Sequence, residues 1–492
     1  MYLLDQYRGT SVSCRYIMPS RLAETSAQPE LISHVEAAIA TMVLRHPVLQ
    51  VGIADADSKA PRWVRLESLD LRNHIEWKSL SPSEDWEKAS KSWTASQLDA
   101  TYPEIEKRPG WKVVALRSPQ RTFLELLFTW NHPHADGMSG KIFHQGLFQY
   151  FQTSGKDMVN PQLNDGVLKL PDSPRIPPPI EKATKLPIEL GYAVKTVWQE
   201  VRPPMFCRNT FLANWAPIRT SPYKTQLRAF AIKNDILTNI LSACRRNQTT
   251  LTGLMNGLML VSLASRLEEA AAPAFQSITA VSLRPYIPPS PRDYPWLIPE
   301  QTMGNYVTIL SHVFDETLVS TLRSKLTPND ITAATAAGGK EQVSLSADVM
   351  DALWSTAANV RREIERKQDL GVKNDQVGLM KFIGDWRHQM AEMVRKPRQN
   401  SWFITNLGVL DGRPNKKHEI DDEDDSWSIC RAQFATSAET TSAAFIISPM
   451  TAAGGDLSIV GTWQECIFDV RFGEQVMADL EAWLLQIGAK SS

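Results

Sequence analysis

Residues 131–140, NHPHADGMSG, decide how the rest of the chain is read. His132, His134 and Asp136 alternate along the stretch, and Gly137 follows at once. Three kinds of site share this pattern. Alternating ligands on an extended chain would hold a metal ion. One working histidine with a supporting aspartate would do acid–base chemistry. A plain turn would look the same and do nothing. Upstream, RTFLELLFTW (121–130) reads as a strand, paired through the turn SPQ (118–120) with WKVVALR (111–117). Downstream, Phe143, Leu147 and Tyr150 lie at helical spacing. The motif therefore falls between a strand end and a helix start.

The bulk numbers narrow the classes. A chain of 492 residues suits two large domains or about three ordinary ones. With 43% hydrophobic and 22% charged residues it has the composition of a globular protein with a real core. A formal net charge of −1 provides no field to draw the chain onto nucleic acid or an anionic membrane. Cys14, Cys207, Cys244, Cys430 and Cys466 are scattered and odd in number, without a CxxC, and read as reduced thiols. The start MYLLDQYRGTSVSCRY lacks a basic region followed by an apolar run, so no signal peptide is expected. The run LTGLMNGLMLVSLA (251–264) is too short to span a bilayer and reads as a buried helix. A cytoplasmic protein, monomeric and without a membrane span, is the expectation.

Further along, SVSCRYIM (11–18) alternates as a strand, and Ile32, Val35, Ile39 and Met42 form a helical face that Pro47 ends. The proline-rich LPDSPRIPPPIEKATKLP (170–187) is the best linker candidate. TQLRAFAI (225–232) and SITAVS (277–282) read as strands, and ADVMDALWSTAANVRREIERK (347–367) as a helix. The acidic run DDEDD (421–425) reads as a solvated loop. In the last third SWSICRAQFAT, AAFIIS, DLSIVGTW and CIFDVRF read as strands, followed by a helix carrying Val476, Leu480, Trp483 and Ile487.

The metal reading is weak. His-x-His-x-Asp resembles the start of the metallo-β-lactamase motif, but a glycine, Gly137, stands where that motif has a further histidine. Structural and catalytic zinc sites need three or four protein ligands, and His144, His312 and His388 show no ligand spacing. A zinc hydrolase using His132, His134 and Asp136 is kept as an alternative. For the acid–base reading, a neutral histidine takes a proton from an attacking hydroxyl or amine, which is worth about 10²- to 10⁴-fold in rate.

The residues from His132 to Gly137 spell HxxxDG, and in this they resemble the chloramphenicol acetyltransferase-like superfamily. That group includes plant BAHD acyltransferases, fungal alcohol and trichothecene O-acetyltransferases, and peptide-synthetase condensation domains. RHPVL (45–49), SLRPY (282–286), MGNYV (303–307) and NLG (406–408) resemble other family segments in the family's order. Two positions depart. Asn131 stands where condensation domains usually have a second histidine, and the BAHD sequence DFGWG is absent. Both departures favour the fungal CoA-dependent type.

The resemblance implies an α/β fold of two chloramphenicol acetyltransferase-like domains with a substrate tunnel at their interface. The domains are expected at 1–170 and 216–492, joined by a crossover at 171–215. It implies an O-acyltransferase with His132 as general base and no metal. Acyl-CoA, by family default acetyl-CoA, would be co-substrate, no cofactor would be bound permanently, and a hydroxylated small molecule, such as a secondary metabolite, would be acceptor. A condensation-type enzyme with a carrier-bound donor is the alternative. Asp136 would be structural and paired with Arg284, and Gly137 would leave room for the pantetheine arm. Asn406, Gly408 and Asn305 are candidates for the oxyanion site or the tunnel wall. Arg395, Lys396 and Arg398 are candidates for the CoA phosphates. His134 is expected to be a turn residue without a catalytic role.

Overall fold

A computed structural model describes residues 2–119, 121–153, 161, 163–201, 209–326, 344–414 and 426–489. Cys207 and the acidic run 421–425 lie outside them. Two mixed sheets carry the molecule. The first has five strands in the order Ser428–Thr436, Gly9–Ile17, Phe123–Asn131, Trp111–Arg117, Ile75–Ser79. The pair formed by Trp111–Arg117 and Phe123–Asn131 is the hairpin expected from sequence. The second runs Thr225–Ile232, Leu457–Gln464, Phe445–Ala452, Trp402–Ile404, Phe275–Ser282, Val307–Phe314, with Gly408–Leu410 also paired to Phe445–Ala452.

Each sheet buries one core. The helices Gln28–Arg45 and Gly137–Thr153 cover the first sheet, where Val35, Ile39, Met42, Phe143 and Leu147 join Val12, Leu126 and Phe128. The helices Asn234–Arg246, Leu251–Arg266, Ala347–Leu370 and Val470–Ala489 form the second core.

The Leu251–Arg266 helix explains its own odd sequence. Thr250 caps it by accepting from the Gly253 amide. Its glycines permit close packing: a Cβ at Gly257 would lie 2.7 Å from Leu353 Cδ1 on the neighbouring helix. Asn256, buried within it, is satisfied, because its Oδ1 accepts from Ser277 Oγ at 2.7 Å and Trp402 Nε1 at 2.9 Å.

Three sequence expectations need adjustment. CIFDVRF is not a strand. Asp469 accepts from the Arg471 amide and starts the Val470–Ala489 helix, so a local cap overrides the alternation. The crossover carries helices at Ile180–Ala183 and Leu190–Val201. The strand Ser428–Thr436, which falls in the C-terminal half of the sequence, is hydrogen-bonded into the first sheet along Gly9–Ile17.

Candidate active site

The strand Phe123–Asn131 delivers the motif to the place where the two sheets meet. Gly9 of the neighbouring strand pairs with Asn131. Beyond Asn131 the chain turns, closed by the His134 amide donating to the Asn131 carbonyl at 3.1 Å. The helix then begins at Gly137.

Asp136 is the keystone of the loop. Its Oδ1 accepts from the Ser139 amide at 3.0 Å, the N-cap geometry, and from Ser139 Oγ at 2.9 Å. Arg284, 148 residues away in sequence, donates to both carboxylate oxygens, at 2.6 Å and 3.0 Å. The Tyr306 amide donates to Oδ2 at 3.0 Å. Both side chains are fully buried, at 2% and 3% exposure. Burial alone would raise the Asp136 carboxyl, but Arg284 and the three other donors hold it below its ordinary value. Arg284 also binds the carbonyls of Pro299, Thr302 and Gly304, tying the 299–304 loop to the same point.

His132 itself is half-buried. Burial lowers its pKa from 6.5, against the field of Asp136 and a hydrogen bond to its own backbone carbonyl. Asn305 Nδ2 donates to the same carbonyl at 2.5 Å. Tyr7 packs on the other side, with ring centroids 5.4 Å apart. The result is a neutral imidazole on a clamped backbone, packed against Tyr7.

His134 points elsewhere. It is buried, Nδ1 meets Asn131 Oδ1 at 2.5 Å, and Nε2 meets the Val51 carbonyl at 3.1 Å. Burial drives its pKa down to about 4. With His134 turned to Val51 and Asp136 engaged by Arg284, the metal reading loses two of its three ligands. No cluster of three or more His, Cys, Asp or Glu suited to a metal exists among the described residues.

The remaining candidates divide. Asn406 Oδ1 accepts from the Gly408 amide at 2.8 Å and Nδ2 donates to Thr252 Oγ1 at 3.2 Å, so this side chain first organises its own turn. Gly408 takes φ +68°, which a glycine adopts without strain. Both line a cavity of about 490 Å³ with Thr250, Thr252, Ser282 and Arg361. The space expected at Gly137 is taken: a Cβ there would lie 3.0 Å from both Leu407 and Phe434. A side chain there would press on both. Arg398 is not a phosphate ligand. It is 1% exposed, and its guanidinium donates to the carbonyls of Ala216, Pro217, Thr440 and Ser442. Arg395 is exposed and paired with Glu392, and Lys396 is exposed beside it.

Sequence reasoning missed Ser139, Tyr306 and Tyr7. Ser139 was findable, since Asp136-x-x-Ser139 before an apolar helical run is a capping pattern. Tyr7 lies in an irregular segment with no signal. On the far side, a cavity of about 250 Å³ opens between the two sheets, lined by Ser11, Ser13, Gln433 and Ala435 from one and Leu227, Ala229 and Val460 from the other.

The neutral histidine stands where the two mixed sheets meet, beside the Asp136–Arg284 pair. Residues 82–307 match the alcohol acetyltransferase family. The chain resembles the alcohol acetyltransferases. It is 27% identical over 466 residues to a probable alcohol acetyltransferase, FCK4, of Fusarium pseudograminearum, covering 92% of this chain and 86% of that one. It is 21% identical to the probable alcohol acetyltransferase crmB of Aspergillus fumigatus, covering 96% and 94%. Its fold is that of the TRI3 trichothecene 15-O-acetyltransferase of Fusarium sporotrichioides, with TM-score 0.68 at 13% identity over 98% and 91% of the two chains. The first condensation domain of the CDA synthetase superposes less well, with TM-score 0.57 at 10% identity over 99% and 92%. These relations support acyl transfer to a hydroxyl. No helix among the described residues is long and apolar enough to cross a membrane.

Proposed function

We propose that the chain moves an acyl group from acyl-CoA to a hydroxyl of a small secondary-metabolite acceptor, with His132 as general base. The observation that carries this reading is the placement of His132, a ring that burial keeps neutral, on a loop whose carbonyl is clamped by Asn305 and whose far end is fixed by the Asp136–Arg284 pair. Nε2 takes the acceptor's proton as the hydroxyl oxygen attacks the thioester carbonyl. A C–O bond forms and a tetrahedral oxyanion results. Its collapse breaks the C–S bond, and the imidazolium returns the proton to the departing thiolate. No covalent enzyme intermediate is needed.

The thioester arm fits the cavity of about 490 Å³, where Thr252 and Asn406 offer hydroxyl and amide donors toward an oxyanion and Arg361 offers a cation at the rim. The acceptor fits the cavity between the sheets, whose Ser11, Ser13, Thr94 and Gln433 suit a polyoxygenated molecule. The fungal relatives support the acetyl donor and the secondary-metabolite acceptor.

The test is thiol release from acetyl-CoA with a panel of hydroxylated terpenoid and polyketide acceptors, with acetyl loaded on an acyl carrier protein as the competing donor. Acceptor-dependent release from CoA that disappears in folded His132→Ala is expected. Turnover from the carrier alone would transfer the reading to the condensation type. Release that survives in His132→Ala would remove His132 from the mechanism.

A further inference from the structure

A third cavity, of about 380 Å³, shares no lining residue with either of these. It is formed by the end of the Gln28–Arg45 helix and the turn after it, by the start of the crossover, and by the 296–303 loop. Its volume falls within the usual range for small-molecule sites. Its walls are apolar and rigid, built from Pro47, Pro171, Pro174, Pro177 and Trp296.

Two polar atoms lining it are orphaned. His46 is 4% exposed and Gln50 is 2% exposed, and both line the cavity. His46 Nε2 and Gln50 Oε1 are buried without any hydrogen-bond partner. The Gln50 amide nitrogen is already spent on the carbonyls of Val43 and Leu44. Buried polar atoms are nearly always paired, and these two belong to side chains that line the cavity, where a small rotation would bring them to a ligand. Burial and the adjacent Arg45 drive the His46 pKa down to about 3, so the ring is neutral and offers one donor or one acceptor.

The charge around the cavity has one sign. Arg45 and Arg175 line it, and no Asp or Glu does. Among the described residues the Arg45 guanidinium makes one hydrogen bond, to Gln149 at 3.4 Å, and Arg175 makes no hydrogen bond or ion pair. The two nearest acids in sequence are outside the lining: Asp172 is held by Arg65, and Glu300 follows Pro299 on the loop.

We propose that this cavity binds a small organic anion, a phosphate- or carboxylate-bearing molecule that also carries a hydrogen-bond donor. Arg45 and Arg175 take the anionic group, a donor on the ligand meets Gln50 Oε1, and an acceptor meets His46 Nε2. Trp296 offers a face for any planar portion. The site is joined to the catalytic loop through Thr302, which lines the cavity and whose carbonyl holds Arg284.

Two sources share this chemistry: the phosphorylated head of the CoA co-substrate, and a separate anionic metabolite. Isothermal titration of full-length protein in the His132→Ala background separates binding from acyl transfer, so that failure of one reading leaves the other standing. The probes are inorganic phosphate, citrate and adenosine 3′,5′-bisphosphate, titrated to millimolar concentrations. At least one should bind at a single site. Its affinity should fall about tenfold or more in Arg175→Ala, as expected for loss of a charge-assisted contact, and hold in Arg413→Ala, an exposed cation paired with Asp411 and outside all three cavities. Binding of the bisphosphate alone assigns the CoA head. Binding of citrate or phosphate assigns a separate metabolite. His46→Gln should weaken the same probe, and Arg175→Ala, on an exposed segment, keeps the test open should the buried variant fail to fold. No binding by any probe, or binding indifferent to Arg175→Ala, overturns the proposal.

Discussion

Asp136→Asn isolates the charge of the keystone carboxylate while keeping its shape. Oδ1 accepts three hydrogen bonds and Oδ2 accepts two. An amide nitrogen in either position donates, so at least two bonds are lost and a donor faces a donor. Hydrogen bonds to charged groups contribute about 1.5–3 kcal/mol each. Breaking a buried ion pair from one side costs about 3–5 kcal/mol. The two routes agree on about 3–5 kcal/mol, to be read from urea denaturation midpoints at pH 7. Because the folded carboxyl is held below its ordinary 3.8, its contribution is complete above that value and is lost as pH falls through the depressed one. The gap between wild type and variant should therefore stay level from neutral pH to about 4 and close only at more acid pH. Turnover by the fraction that remains folded, assayed below the transition, should fall less than in His132→Ala. A cost below about 1 kcal/mol, or a gap that closes near pH 6, would refute the reasoning. Lost turnover at an unchanged midpoint would move Asp136 into the chemistry.

Three further expectations follow from the site. His132→Ala should lower kcat/KM by about 10²- to 10⁴-fold with an unchanged melting profile, and the wild-type acid limb should titrate below pH 6.5 because burial favours the neutral ring. Asn305→Ala should reduce kcat about tenfold while leaving the KM for acyl-CoA and the melting temperature nearly unchanged, since it releases the adjacent His132 and Pro133 carbonyls; a shift in KM alone would make Asn305 a substrate contact. Arg398→Met should destabilise by about 2 kcal/mol or more, by orphaning four carbonyls, without changing the KM for acyl-CoA, whereas Arg361→Ala should raise that KM; the reverse pattern in steady-state kinetics would restore Arg398 to the phosphates.

What the sequence made legible was local or carried by a motif. The helical faces of 28–45 and 137–153 and the hairpin before His132 follow from periodicity, because each buries one side against one sheet. The Asp136–Arg284 pair was reachable only through the family resemblance carried by HxxxDG and SLRPY, since nothing local links two residues 148 positions apart. Arg398 was misread because RKPR looks like a solvated cluster, and nothing local shows that one of its cations turns inward to bridge 216–217 and 440–442. Asn305 was ambiguous for the same reason: its partner lies 173 residues away. The three cavities were invisible, since each takes its lining from three or more separated segments.

The strand Ser428–Thr436 carries a consequence for how the lobes depend on each other. Residues 1–170 contain four of the five strands of the first sheet, yet Gly9–Ile17 sits inside the sheet only because Ser428–Thr436 covers its outer edge over eight paired positions. Leu410, Ile429, Phe434 and Met450 also enter the core of that lobe from beyond residue 400. Burying side chains of this size contributes about 1.5–3 kcal/mol each. Together they supply about 6–12 kcal/mol, comparable with the whole stability of an ordinary domain. A fragment of residues 1–170 should therefore expose a flat strand edge and an open core, and should aggregate. Co-expression with residues 171–492 should restore a soluble complex by returning the missing strand. Size-exclusion chromatography and circular dichroism of the two preparations decide the matter. A monodisperse, cooperatively melting 1–170 fragment would show that the first lobe is independent and that the exchanged strand only bridges the tunnel.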